Sequence, residues 1–292
     1  HHPVRITHRS GYGHLLNSLA LELAGITGES GDPPGGLIDR DITTGEPTGL
    51  LYGMGKILAR CFPATGENRT NEEISLAGQA LTTLGITSVC DVSSRNNLSR
   101  MDLFRTWKEG GLIPQRVTMA LGWEGFQKIQ ECGDPGFGAD DQVRVEGVKI
   151  IIHEITGRLD PSQADLNEMV LQIHRSGYQA ILHAIDEQPI AAACTAIEHA
   201  LRTFPATGLK HRIEHCSVCP PALAKRIAST GIMVVTQPAF LYYNGERYLQ
   251  TVPEDELGHL YPIATLMKHG IVVAGSSDSP VVEPNPLIGM NS

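Results

Sequence analysis

Four short apolar runs in this 292-residue chain end in or contain polar residues whose types suit chemistry at a metal ion. Lys149 interrupts Val148-Lys-Ile-Ile-Ile-His153, and His183 lies in Ile181-Leu-His-Ala-Ile185. Glu214 and His215 follow Arg212-Ile, and Asp278 stands in Gly275-Ser-Ser-Asp-Ser-Pro280. Neutral imidazoles bind zinc and related ions, and two from adjacent strands can share one ion. A carboxylate from another strand can then bind the ion or take a proton from water. Each residue also has a plain reading. A lone strand-end histidine is more often hydrogen-bonded than metal-bound. Asp278 before Ser-Pro can form a turn, and Lys149 can extend its amine to solvent from an apolar stem. Only their joint placement on successive units carries the chemical reading.

Those units begin near residue 84, where β-branched apolar runs alternate with helix-like stretches of 3.6-residue period. The expected strands are 86–92, 115–121, 148–153, 179–185, 211–216, 233–238 and 271–276. Helices are expected near 97–109, 163–176, 188–202, 220–230 and 261–269, with Gly110, Gly177, Gly231 and Gly270 as left-handed C-terminal caps. Strands flanked by helices on both sides of a parallel sheet are apolar throughout, so Lys149 needs a reason. Seven βα units leave an eight-stranded barrel one strand short, and residues lining such barrels converge at the C-terminal ends of the strands. An open doubly wound sheet is the alternative. Residues 1–80 stand outside the repeat, with a helix-like Leu15–Ala24 and turns at Asp32–Gly36 and Gly45–Gly49. They read as an excursion from the barrel. The first methionine is Met54, so the translation start is expected upstream of His1, and Pro286–Ser292 reads as an end without a terminal helix.

A formal charge of -9 offers no basic stripe for a phosphate backbone, which sets nucleic acid aside in favour of a small-molecule substrate. No apolar run is long enough for a membrane span, and no signal-peptide pattern opens the chain. Six scattered cysteines suit free thiols rather than a disulfide framework, so the expected compartment is the cytoplasm. Cys216-Ser-Val-Cys219 has the spacing of a thiolate pair but lacks a second pair and reads as structural.

The order of motifs resembles the amidohydrolase superfamily, and within it amidohydrolase family 3. The resemblance rests on His2-Pro-Val, Gly13-His14, Asn17-Ser18, Gly35-Gly36 and Gly45-Glu-Pro-Thr-Gly49, then on Gly147-Val-Lys149, His183-Ala-Ile, Arg212-Ile-Glu-His215, Gln237-Pro and Gly275-Ser-Ser-Asp278-Ser-Pro280. It implies an α/β fold, a (β/α)8 TIM-like barrel that is incomplete in this chain. Residues 1–80 would be a segment inserted between strands one and two, and residues 81–292 would supply strands two to eight. It further implies a hydrolase of non-peptide, amide-like C–N bonds that uses a divalent metal, zinc being the expected ion, with one or two ions in the complete protein. Lys149 would be a carboxylated bridging ligand, His183 and His215 imidazole ligands, and Asp278 both ligand and general base. His14 would face the substrate.

Two departures stand out. The family's first-strand His-x-His pair occurs nowhere in the chain, and Asp186-Glu187 replaces the usual Gly-Asp after His183-Ala-Ile. Without the pair, the fragment by itself is expected to be nearly inactive. The competing readings are a non-catalytic barrel that has lost its site, and a metal-free barrel enzyme for anionic substrates. The helical outer faces of a barrel are compatible with a homo-oligomer.

Overall fold

A computed structural model describes residues 2–8, 11–62, 71–133, 142–155, 157–205 and 208–292. It divides into two units, His1–Arg69 and Thr70–Ser292. No helix among the described residues is long and apolar enough to cross a membrane.

The first unit contains β1 (Arg5–Thr7), β2 (Gly13–Leu16), α1 (Ser18–Leu23), β3 (Leu37–Arg40), β4 (Pro47–Tyr52) and α2 (Gly55–Cys61). Its antiparallel sheet runs β1-β2-β4-β3 and packs on Leu16, Ala20, Ile38, Leu51 and Leu58. The helix expected from Leu15 to Ala24 is corrected here. His14 and Leu16 are buried while Leu15 is exposed, the two-residue period of a strand. Asn17 then starts the helix, because its side-chain oxygen accepts from Ala20 N at 3.0 Å. Gly49, read as the end of a turn, lies inside β4 with φ +95°, where a Cβ would collide with the Leu16 carbonyl. Arg40 ties the loops of this unit together by donating to the carbonyls of Gly28 at 3.1 Å, Gly45 at 3.0 Å and Ser30. Arg40→Ala should therefore destabilise the unit by about 1–2 kcal/mol. Faster hydrogen exchange of the β3 and β4 amides would show it, and unchanged protection would refute it.

The second unit contains α3 (Asn71–Thr83), β5 (Ser88–Asp91), α4 (Leu98–Glu109), β6 (Arg116–Gly122), α5 (Trp123–Cys132), β7 (Val143–Ile151), β8 (His153–Ile155), β9 (Arg158–Asp160), α6 (Gln163–Arg175), β10 (Gln179–Ala184) and α7 (Glu187–Thr203). It continues with β11 (Arg212–His215), α8 (Pro221–Thr230), β12 (Met233–Thr236), α9 (Ala239–Thr251), α10 (Glu254–Leu257), α11 (Ile263–Lys268), β13 (Val273–Gly275) and α12 (Pro286–Asn291). The unit boundary falls before α3, whereas a line at residue 80 would cut that helix. The Gln115 amide explains the grouping, since it donates to Gly78 O at 2.9 Å and to Thr82 Oγ1 at 3.0 Å and so ties α3 to the start of β6.

All seven expected strands join one parallel sheet in the order β5-β6-β7-β10-β11-β12-β13, and β8 pairs with β9 as a separate hairpin. Strand order follows chain order throughout. A doubly wound sheet reverses its order at a switch point, so that alternative falls away. Val148, Ile150, Ala180, Leu182, Ile213 and Val234 pack in the helix-side core. By strand alternation, Lys149, His183 and Glu214 then project to the opposite face.

Two further expectations are corrected. Gly110 has φ -74°, and the left-handed turn after α4 is made by Gly111 at φ +68°. Gly177, Gly231 and Gly270 do adopt left-handed φ. The chain's last residues form α12, which Asn285 caps by accepting from Leu287 N at 3.0 Å, with Pro286 in the first turn.

Candidate metal centre

The sheet register assembles the centre. Lys149 pairs with Ile181, His183 with Glu214, and Ala184 with His215, so Lys149, His183 and His215 occupy three neighbouring strands. Alternation alone would send His215 to the helix side with Ile213. Left-handed turns at His215 (φ 76°) and Cys216 (φ 51°) break it, and the His215 ring stands 4.4 Å from that of His183, at 73°. Non-glycine residues in this region are uncommon, and cluster at functional sites. Asp278, three residues beyond β13, is another, at φ 52°.

His215 is oriented by Gln237, a residue whose type and position in Gln237-Pro238 give no sign of this role. Its Nδ1 lies 2.7 Å from Oε1 of Gln237, which is buried at the end of β12. An amide oxygen only accepts, so Nδ1 carries the proton and Nε2 keeps its lone pair. Gln237 Nε2 in turn donates to Ser276 Oγ at 3.0 Å, which fixes the amide. A metal-binding imidazole is held this way, by a bond from the nitrogen that does not bind the ion. Gln237→Leu removes the acceptor and should weaken metal binding about tenfold. Cobalt titration of the full-length protein would measure the change, and unaltered affinity would exclude the role.

Burial sets the charge states. It pushes His215 down to about 4, with help from Lys149 and opposition from the Gln237 bond. It pushes His183 well below the ordinary range, and His215, Lys149 and His153 add to the effect. Both imidazoles are thus neutral ligands at neutral pH. Lys149, only 5% exposed, is lowered by burial, while Glu214 and Asp278 favour its charged form. Asp278 is raised to about 6, chiefly by burial, against the pull of Lys149. Arg212 Nε stands 2.6 Å from Glu214 Oε1, an ion pair beside the centre.

Two neutral imidazoles, a buried amine and a half-buried carboxylate fit part of a metal shell. The His215 lone pair is the clearest sign. Among the described residues, no three His, Cys, Asp or Glu side chains converge as a set able to hold an ion. The structure therefore brings His183 and His215 together, and places Lys149 and Asp278 within electrostatic reach of each other. His14 belongs to the first unit, buried in β2, with Nδ1 3.3 Å from Thr7 Oγ1 and Nε2 without a partner among the described residues. Cys216 and Cys219 are both buried, and all six cysteines are free of disulfides.

Comparison with known proteins adds the following. A family model described as an amidohydrolase family matches residues 1–291. The candidate amidohydrolase YtcJ of Bacillus subtilis is 26% identical over 99% of this chain and 58% of its own length. The N-substituted formamide deformylase of Arthrobacter pascens is 23% identical over 95% of this chain and 56% of its own. The chain thus spans a little over half the length of the curated relatives it matches. An uncharacterized metal-dependent hydrolase from Pyrococcus horikoshii superposes with a TM-score of 0.72 at 20% identity, covering 99% of this chain and 59% of that one. That likeness establishes the fold of the matched part.

Proposed function

Because the chain belongs to the amidohydrolase family, we propose that the full-length protein is a metal-dependent hydrolase that cleaves a non-peptide, amide-like C–N bond of a small molecule. The observation that carries this reading is the pair of neutral imidazoles, 4.4 Å apart on neighbouring strands, with the His215 lone pair turned free by Gln237. His183 and His215 would hold a divalent ion, zinc being the first choice for such nitrogen donors. That ion supplies Lewis acidity and makes water acidic near neutral pH. Lys149 would join as a carboxylated, anionic ligand. Its lowered pKa supports this, since only the neutral amine can take up carbon dioxide, and the product removes an unpaired buried cation.

Asp278 is the proton carrier. Raised to about 6, its carboxyl is ionised at neutral pH yet basic enough to accept a proton from water and return it to the departing nitrogen. A strand bearing further ligands would pair with the outer strands β5 and β13, each of which has one sheet neighbour among the described residues, and complete an eight-stranded barrel. Metal analysis of the full-length protein beside a His183→Ala, His215→Ala double variant tests the proposal. Native protein should retain close to stoichiometric divalent metal, and the variant should lose at least half of it; equal content in both would refute the assignment.

A further inference from the structure

His183 lacks what His215 has. Gln237 fixes the His215 ring by a hydrogen bond, whereas the His183 ring, among the described residues, has two ring neighbours, His215 and His153, and no side-chain hydrogen bond. The His153 ring lies 5.9 Å from it at 60°. We infer that His153 is a positioning residue for His183, setting the plane of its imidazole by ring packing; this rests on the metal-centre reading above.

The backbone holds His153 in place for that task. β7, the strand of Lys149, ends at Ile151, and His153 opens the β8–β9 hairpin, paired in register with Asp160. The intervening Ile152 donates its N–H to the carbonyl of His183 itself, at 3.1 Å. On the far side, the Gln188 amide end lies 2.6 and 2.9 Å from the two Glu154 oxygens, which only accept, so its nitrogen is oriented toward them and donates to both, tying the hairpin to the first turn of α7, the helix that follows His183. The residues before and after His153 are therefore both anchored to the segment carrying His183. Such fixation matters at a metal centre, because a ligand that must be ordered on binding loses rotamer entropy that an ordered one does not.

Cobalt(II) titration of the full-length protein, followed by its visible absorption, tests the inference. His153→Ala should weaken cobalt binding about tenfold and alter the band shape. His153→Phe, which keeps a ring at the same place, should bind within about twofold of native. His153→Leu fills the volume without a ring face and should fall with alanine, so the Phe against Leu contrast decides the matter even if alanine loosens the hairpin. Native-like binding by both alanine and leucine variants would overturn the inference, as would a phenylalanine variant as weak as alanine. A His183→Ala control separates the two levels. If that control binds like the native protein, the metal centre itself is misassigned; if it loses cobalt while the His153 series stays level, only the positioning role fails.

Discussion

Lys149→Met should reduce hydrolysis by the full-length protein by about 10³-fold or more, the loss of roughly 4 kcal/mol of transition-state stabilisation. The size follows from what the substitution removes. If Lys149 carries a carboxylate, methionine deletes both a metal ligand and the negative charge that balances the ion. The fold should not suffer. Lys149 is buried and burial disfavours its charge, so an apolar side chain of similar length relieves a cost rather than adding one. Metal content and thermal unfolding, read together, make the test specific: metal should fall while the metal-free unfolding temperature holds or rises. Activity within tenfold of native, with metal retained, would sink the role of Lys149.

The same residue shows what a sequence can disclose. Lys149 and His183 were visible because each is a polar exception inside a strand that should be apolar on both faces, a conflict that local chemistry alone can reveal. The contact between His215 and Gln237 was not visible, because it depends on left-handed turns at two non-glycine residues, and neither residue type nor spacing reports those. His153 was hidden differently. It follows directly on the apolar residues Ile150 to Ile152, and nothing in that run marks the break where β7 gives way to the hairpin.

Strand boundaries follow the same logic. β7 starts at Val143 rather than Val148, since Arg144 and Glu146, paired with each other at 2.6 Å, make its first half look like a solvated loop. The first unit was least legible of all. Its strands have three to six residues, and β2 pairs with β4 across more than thirty intervening positions, so no local period announces the sheet. The parallel sheet, by contrast, declares itself through repetition of one apolar pattern. His14 illustrates the cost of missing the first sheet: its burial comes from strand alternation, which a helical reading of its neighbours could not supply.

Acid should destabilise the second unit through His211, a residue outside the metal centre. Ala180 N donates to His211 Nδ1 at 2.9 Å, so that nitrogen is bare and Nε2 carries the proton. Nε2 then donates to His174 Nδ1 at 3.0 Å, and His174 Nε2 donates to the Phe204 carbonyl at 2.8 Å. Both rings are almost wholly buried. A second proton on His211 would have to face the Ala180 N–H, and burial, reinforced by His174, pushes this imidazole from 6.5 down to about 4. Above pH 6.5 neither the folded nor the unfolded chain takes up the proton, and stability is whole. As pH falls below 6.5 the unfolded chain binds a proton that the folded one refuses, and stability drains away until about pH 4, where the folded protein accepts it too. The difference amounts to about 3 kcal/mol. Asp278 acts in the opposite sense, because its folded pKa is raised, so the measurement must be a difference between variants. Trp107 and Trp123, the only tryptophans, both lie in the second unit and report its unfolding by urea. His211→Gln can keep both hydrogen bonds through an amide that does not titrate. Its loss of stability between neutral pH and pH 4 should be about 3 kcal/mol smaller than that of the native metal-free protein. Equal acid sensitivity in the two would show that the buried pair takes up its proton without strain.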